Sequence, residues 1–318
     1  MTQRITTQMV DNSTVNAIDN DLNQLDQTQE ELSTGFQINE PSDNPVGASI
    51  TLSLQDQISS YSQYQENISE GSAVAGTESS SLSQILSTVQ GAQELVTEAA
   101  NGTLNSSDLQ DAAAQVLQYI GEIKETANTQ YDGSYVFSGS SVNTAPYDAD
   151  SSGADTFEGN TDSISYGIGP STQLPVSANL YNVLGNGTTT GTAAASNGGG
   201  AVNADGSGGL LATLRTVYSD LESGNQNDLQ NQITNLQTNQ DSLLDLQANV
   251  GATQDRLQMA SSRITSLSAT DTTELSNVYD TDMPVATTQF STEQAGYEAA
   301  LQSTADIIQT SLLNFLST

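Results

Sequence analysis

The sequence predicts a mainly α-helical protein with a nested, elongated architecture. Helices at the two chain ends form a terminal coiled coil, helices further in form a middle α-helical bundle, and a small β-rich segment is inserted at the centre. Two observations support this prediction. Apolar residues recur at steps of three and four near both ends and along most of the interior, as in amphipathic helices. At the centre this pattern is lost, and fifteen of the 25 glycines lie between residues 133 and 209.

Composition and charge restrict both the core and the class of partner. Only 35% of the 318 residues are hydrophobic and 5% are aromatic, which favours two or three thin units over one large core. The net charge of −33, from 38 acidic and five basic residues, repels phosphate backbones and anionic membranes. This acidity indicates an ordinary solvated surface or, alternatively, adaptation to a saline or acidic exterior.

The first helix is predicted over residues 14–33, with a stop at Gly35. Its apolar stripe consists of Val15, Ile18, Leu22, Leu25 and Leu32. A helix cannot bury its own stripe, so a partner for it is expected elsewhere. Residues 36–45 contain two prolines and an Asp/Asn cluster, which predict an irregular, extended connection.

Three further helical patterns precede the centre. One covers residues 50–68, and a second runs over residues 82–99 and ends at the Asn-Gly pair 101–102. Ser106, Ser107 or Asp108 can cap a third helix that continues to residue 127.

The glycine-rich centre has a different character. Short strands are predicted at residues 135–137, 156–157, 163–168 and 174–176. The Ala, Ser, Asn and Gly run at residues 191–209 predicts a flexible linker. We therefore expect the insertion to be small, weakly packed and exposed.

Helical periodicity then returns and continues to the chain end. One helix is predicted over residues 210–221, and Asp228 can cap a long helix with near-heptad spacing as far as residue 267. Pro284 suits the first turn of a last helix. The apolar stripe of that helix consists of Phe290, Tyr297, Leu301, Ile308, Leu312 and Phe315. The predicted domains are residues 1–35 with 285–318, residues 36–135 with 210–284, and residues 136–209.

Little in the sequence supports catalysis. The chain has no histidine, cysteine or tryptophan, which removes the usual general base, the soft metal ligands and the thiol nucleophile. We therefore predict no enzyme activity, cofactor or metal site. Residues 148–153 resemble the first half of a calcium loop, but Gly159 stands where the loop needs a glutamate, so a solvated turn is preferred. Neither a cleavable secretion signal nor a transmembrane run is expected.

Three groups of residues resemble the flagellins and their relatives. Residues 32–35 (LSTG) and 38–46 (INEPSDNPV) are similar to the N-terminal signature of that family. Residues 91–103 resemble its next helix end, and residues 250–257 resemble its returning C-terminal half. The signature residues carried over are Ile38, Asn39, Pro41, Ser42, Asp43, Pro45 and Arg256. The centre is unmatched, and the scarcity of Lys and Arg is a departure from the family.

Within the family, the sequence resembles the hook–filament junction members more than the filament-forming flagellins. The segments that resemble the junction members are residues 41–45 (PSDNP), 133–139 (GSYVFSG) and 311–316 (SLLNFL). A filament flagellin is the alternative, and a secreted acidic adhesin is a more remote one.

The resemblance implies a structural role in motility. Such proteins leave the cell through the flagellar type III export route and form a junction ring between the hook side and the filament. The implied partners are copies of the chain itself, a hook-side junction protein, flagellin and a cytoplasmic export chaperone. The implied location is the extracellular flagellum. The two terminal stripes would be the assembly interface, since they need burial against neighbouring subunits.

Overall fold

The computed structural model describes residues 7–150, 155–186 and 209–316. Those residues form a mainly α-helical fold with seven helices and four short strands. The helices are α1 (Thr7–Thr34), α2 (Pro45–Ala100), α3 (Ser106–Ala127), α4 (Tyr181–Leu184), α5 (Gly209–Ser223), α6 (Gln226–Tyr279) and α7 (Met283–Leu316). The strands are β1 (Gln130–Tyr131), β2 (Ser134–Tyr135), β3 (Ser165–Gly169) and β4 (Thr172–Pro175). The mainly α fold class is therefore confirmed.

The first helix ends where the sequence predicts. Gly35 has φ +81°, in the left-handed region that glycine adopts without a Cβ penalty. Its N–H donates to the Glu31 carbonyl at 2.9 Å and closes the last turn of α1.

The two helical patterns predicted at residues 50–68 and 82–99 belong to one helix, because α2 is continuous over 56 residues. Two of the small residues in the gap of the apolar pattern, Gly71 and Ala75, lie on the packed side of the helix. A Cβ at Gly71 would lie 3.4 Å from Val176 and 3.5 Å from Leu257, and Ala75 is fully buried. The absence of a large side chain at these positions reflects close neighbours and not a break in the helix.

Two predicted helix caps are displaced by one to three residues. The N-cap of α3 is Asn105, whose side chain accepts from the N–H groups of Ser107 and Asp108. The Asp108 carboxylate accepts in return from the Asn105 N–H at 3.3 Å, which completes a capping box. Helix α6 begins at Gln226, so Asp228 lies within its first turn and is not its cap. Pro284 lies in the first turn of α7 as predicted.

The two sheets are small antiparallel pairs. Strands β1 and β2 form a hairpin whose turn residues, Asp132 and Gly133, both have positive φ, as a type I′ turn requires. Strands β3 and β4 pair with a bulge between Gly167 and Gly169. Of the predicted strands, residues 156–157 form none, and at 135–137 the pairing stops at Tyr135.

The described part of the centre is well packed, so the expectation of a weakly packed, exposed insertion is wrong there. Nine of its large apolar side chains are buried and belong to the same core as the helices around them. They are Val136, Phe137, Tyr147, Ile168, Leu174, Val176, Leu180, Val183 and Leu184. The predicted linker at residues 191–208 and residues 151–153 of the calcium-like loop lie outside the described residues.

A buried ion cluster also fastens the centre to two helices. Asp155 accepts from Arg215 of α5 through two hydrogen bonds, at 2.7 and 2.8 Å, and lies 3.2 Å from Lys124 Nζ of α3. Lys124 Nζ also donates to the Asp150 carbonyl at 2.6 Å. All three charged side chains are buried, and this multiple pairing compensates for the lost hydration of each.

The chain separates into two compact units. We call residues 61–265 the central unit, and residues 1–60 with 266–318 the terminal unit. In the central unit, α2 and α6 run antiparallel, with Gln65 bonded to Ser261 and Gln247 bonded to Ser83 at 2.8 Å each. The three-domain division made from the sequence stays a prediction.

Candidate assembly surface

Helices α1 and α7 pack against each other in the terminal unit, which brings the two chain ends together. Part of the seam between them is polar. Thr28 of α1 is buried, and its hydroxyl donates to Glu293 Oε2 of α7 at 2.7 Å. Gln289 holds the other Glu293 oxygen at 2.9 Å. One turn along α1, burial raises the pKa of Glu31, and the nearby carboxylates of Glu293 and Asp43 raise it further.

The predicted N-terminal stripe is only partly covered by this packing. Ile18, Leu25 and Leu32 are half-buried, whereas Val15 and Leu22 are exposed. The apolar face of α1 is therefore wider than the area that the rest of the terminal unit covers.

The same holds for the described part of the C-terminal stripe. Phe290 and Tyr297 are half-buried, and Leu301 is 44% exposed. Ile308, Leu312 and Phe315 belong to α7, but their side chains lie outside the described residues.

Further apolar side chains of the terminal unit are exposed, and sequence reasoning did not assign them to the assembly surface. They are Met9, Val46, Ile50, Leu52, Leu267, Met283 and Val285. Of these, Ile50 and Leu267 were expected in the bundle core. The exposed side chains at the beginning of α2 follow directly after the proline-containing signature. The apolar pattern predicted a helix from residue 50, so Val46 was not placed on it, although Pro45 favours the first turn of a helix.

An aromatic stack fastens the end of α1 to the end of α6, and no sequence signal predicted it. The rings of Phe36 and Tyr279 stack with centroids 4.1 Å apart. Gln37 N–H donates to the Tyr279 carbonyl, and Thr281 N–H donates to the Gly35 carbonyl, both at 2.9 Å. These bonds satisfy backbone groups on both sides of the two helix ends.

The signature at residues 38–46, with Gly47 directly after it, has a local structural explanation. Asp43 Oδ2 accepts from the N–H groups of Asn39 and Glu40, at 3.0 and 2.8 Å, and so fixes the turn. Asn44 then accepts from the Gly47 N–H at 2.9 Å, which is the N-cap pattern ahead of Pro45 at the first helical position.

The Gly47 backbone lies against the Ile38 side chain. Ile38 is buried, and a Cβ at Gly47 would lie 2.6 Å from its Cδ1, closer than atoms can pack. Pro41, Ser42, Asp43 and Pro45 are exposed, and Asn39 is half-buried. Arg256, the remaining signature residue, is exposed on α6 in the central unit.

Metal binding and membrane crossing are not supported by the geometry. Across the described ranges, no three or more acidic, histidine or cysteine side chains are grouped so as to hold a metal ion. The helices of the same ranges all fall short of the length and apolarity that a bilayer span requires. What the terminal unit offers is an incompletely covered apolar surface on paired helices.

Comparison with known proteins agrees with this architecture. Residues 5–142 match the family model for the bacterial flagellin N-terminal helical region. Flagellar hook-associated protein 3 of Salmonella typhimurium is 32% identical over 146 residues, so the alignment spans 46% of each chain. The protein of the same name from Escherichia coli K12 is 24% identical over 309 residues, which cover 96% of each chain.

Two further similarities concern flagellin and a solved fold. The flagellin of Salmonella muenchen is 31% identical over 134 residues, covering 42% of this chain and 26% of that flagellin. The crystal structure of flagellar hook-associated protein 3 from Legionella pneumophila has a TM-score of 0.59 at 15% identity. It covers 71% of this chain and 98% of that one. At 15% identity, the similarity to the Legionella structure concerns the fold alone.

Residues 5–142 are therefore similar to the flagellin N-terminal helical region, and the fold is similar to that of a solved hook-associated protein 3. The similarity that extends over almost the whole chain is to flagellar hook-associated protein 3. The fold is also similar to that of Bacillus cereus FlgL, whose crystal structure has a TM-score of 0.54 at 17% identity and covers 70% of this chain and 99% of that one. The resemblance inferred from the signature residues is thereby confirmed.

Proposed function

We propose that this chain is a structural protein of the bacterial flagellum and forms the junction ring that connects the hook side to the flagellin filament. The ring would form by axial assembly of the terminal helices, with the apolar stripes of α1 and α7 as the interface. The role is mechanical and needs no catalysis or cofactor.

The observation that carries the proposal is the incomplete burial of the terminal unit. Val15, Leu22 and Leu301 remain exposed on helices that already pack together. An exposed apolar surface on a coiled-coil pair is stabilised when another helix covers it. A contact between unlike surfaces of neighbouring copies repeats, and it closes into a ring or continues as a helix.

The alternative function is that of a filament flagellin. It shares the N-terminal similarity, but the curated flagellin aligns with less than half of this chain. The almost complete alignment with a hook-associated protein 3 therefore favours the junction role.

The partners follow from that location. The hook-side junction protein and flagellin would contact the ring on its two sides, and copies of the chain would contact each other around it. A cytoplasmic chaperone would cover the exposed C-terminal stripe before export, because an uncovered stripe promotes early association.

Paired substitutions test the interface. Leu301→Asp places a charge on the exposed stripe of α7, and Leu244→Asp places one at a site of nearly equal exposure, 43% against 44%, in the central unit. We expect Leu301→Asp to abolish motility while the purified protein keeps its helical circular dichroism. Leu244→Asp is expected to leave motility unchanged. Equal motility of the two strains would contradict the assigned surface.

Localisation separates the two candidate functions. Immunogold labelling of wild-type cells should mark one narrow band between hook and filament. Label along the whole filament would favour flagellin, and label without a flagellar focus would favour an adhesin.

Deletion of residues 287–318 should leave the central unit folded but prevent filament attachment, and a motile deletion strain would contradict an assembly role.

A further inference from the structure

A small cavity of the central unit lies outside the surfaces described so far. It has a volume of about 230 Å³ and is enclosed by α2, the β1–β2 hairpin and β3. Three tyrosines line it, Tyr131, Tyr135 and Tyr166, together with the carboxylates of Glu70 and Asp132. The rest of the lining includes four aliphatic side chains. The lining therefore combines aromatic rings, carboxylates and an apolar wall.

The walls of the cavity are held in place by hydrogen bonds. Tyr135 N–H donates to the Val142 carbonyl at 2.9 Å, and Val136 N–H donates to the Thr129 carbonyl at 3.2 Å. Strand β3 is bound to α2 by Asn67 Nδ2, which donates to the Gly167 carbonyl at 2.9 Å. The cavity is therefore preformed, and a ligand would not have to order it.

A direct contact joins an aromatic and an acidic residue of the lining. The Tyr166 hydroxyl donates to Glu70 Oε1 at 3.4 Å. This contact places the Glu70 carboxylate next to the Tyr166 side chain at the cavity wall. Glu70 itself is exposed, so its charge acts at the mouth.

The charges around the cavity favour a positively charged ligand. None of the lining residues is basic, and the chain carries a net charge of −33, so anions are repelled and cations are attracted. Tyrosine faces attract cations through the ring quadrupole, and the aliphatic wall favours carbon over water. A hard metal ion would need more carboxylate oxygens than two side chains provide.

We propose that this cavity binds an alkylammonium group. The group would lie among the three tyrosine rings, with its charge directed towards Glu70 and its carbon atoms against the aliphatic wall. It could belong to a free amine such as choline or to the side chain of a lysine. Both sources share the same chemistry.

Titration calorimetry of the full-length chain in low-salt buffer tests the proposal. Choline is the cationic probe, and 3,3-dimethylbutan-1-ol is its uncharged equivalent of the same shape. We expect saturable binding of choline and at least roughly tenfold weaker binding of the alcohol. Binding should weaken as salt is added, because the attraction is electrostatic. Absence of saturable choline binding, or equal binding of the two probes, would overturn the proposal.

Two variants separate the contributions of ring and charge. Tyr166→Ala should reduce choline affinity, whereas Tyr119→Ala, which changes a half-buried tyrosine of α3 outside the lining, should not. Glu70→Gln keeps the size of an exposed side chain and should weaken choline but not the alcohol. Unchanged choline affinity in both cavity variants would also overturn the proposal.

A third probe distinguishes the two sources. Tighter binding of choline than of Nα-acetyl-lysine amide supports a free quaternary amine as the ligand. Tighter binding of the lysine derivative supports a protein side chain. In both cases, the binding supports the proposed site only if the Tyr166→Ala variant loses it. Binding that persists in this variant would contradict the site.

Discussion

The central and terminal units bury their apolar side chains to very different extents. The hydrophobic core cluster runs from Ile68 to Ile264 and lies entirely in the central unit. Among the described residues of the terminal unit, the buried apolar side chains are Ile38, Leu54 and Ala286. The central unit therefore has its own core, whereas the terminal unit is held by helix pairing, one aromatic stack and a few hydrogen bonds. Its stability would increase most when another molecule covers it.

The largest effect is expected in the ion cluster of the central unit. Asp155→Ala removes the carboxylate that contacts both Lys124 and Arg215 in a buried site. We expect a loss of about 4 kcal/mol in the free energy of unfolding, measured by urea denaturation. Asp245→Ala, at an exposed aspartate of α6, is the control and should change stability by less than about 0.5 kcal/mol. A small loss in the Asp155 variant would mean that the centre is fastened mainly by its apolar contacts.

Two adjacent leucines of α6 test the core of the central unit directly. Leu243 is 1% exposed and Leu244 is 43% exposed. Leu243→Ala should reduce the free energy of unfolding by about 3 kcal/mol, because it removes buried methyl groups and leaves a cavity. Leu244→Ala should be close to neutral. Similar losses for both would contradict the difference in burial on which the comparison rests.

A buried carboxyl group makes the central unit sensitive to pH. Glu78 is fully buried, its Oε1 accepts from the Ala178 N–H at 2.8 Å, and burial raises its pKa to about 8. The folded state therefore keeps a proton that the unfolded state loses above its ordinary pKa of 4.5. Stability from this group is complete below pH 4.5, falls as the pH rises towards 8, and is constant above that value.

Glu78→Gln isolates that contribution. The amide oxygen can still accept from the Ala178 N–H, and the side chain no longer titrates. The variant should gain on the order of 2 kcal/mol relative to wild type between pH 5 and pH 8.5. Asp220 and Glu31 also have raised pKa values, so the difference between variant and wild type is the quantity to follow. A difference independent of pH would contradict the assignment.

The smallest effect is expected in the terminal unit. Phe36→Ala removes the ring stacked on Tyr279 and should reduce stability by about 1 kcal/mol. A double-mutant cycle with Tyr279→Ala should give a coupling energy of similar size, followed by thermal unfolding. No coupling would show that the backbone bonds of Gln37 and Thr281 hold the two helix ends alone.

The sequence was sufficient where structure follows local periodicity. The end of α1 at Gly35 and the start of α7 around Pro284 depend on single residues with strong backbone preferences. The continuity of α2 could not be predicted from local periodicity, because the close neighbours of Gly71, such as Val176 and Leu257, are more than 100 positions away in the chain. The preference of Asn105 over Ser106 as a cap likewise depends on backbone geometry that several polar residues could satisfy.

The candidate sites were predictable to different degrees. The terminal stripes could be listed from spacing, and their role in assembly stays a prediction. The stack of Phe36 on Tyr279 and the pairing of Asp155 with Lys124 and Arg215 join residues far apart in the chain, so no local pattern could reveal them. The cavity was missed for the same reason, since its tyrosines come from separate elements.

The buried ion cluster also affects the solvent-facing charge of the molecule. Lys124 and Arg215 lie inside with Asp155, which leaves Arg4, Arg256 and Arg263 as the basic residues of the remaining chain. In the proposed ring, neighbouring copies would have very few cationic side chains with which to form ion pairs. Their mutual repulsion falls as dissolved salt screens it, while apolar contacts are kept. Self-association would therefore be weak at low ionic strength and stronger in concentrated salt.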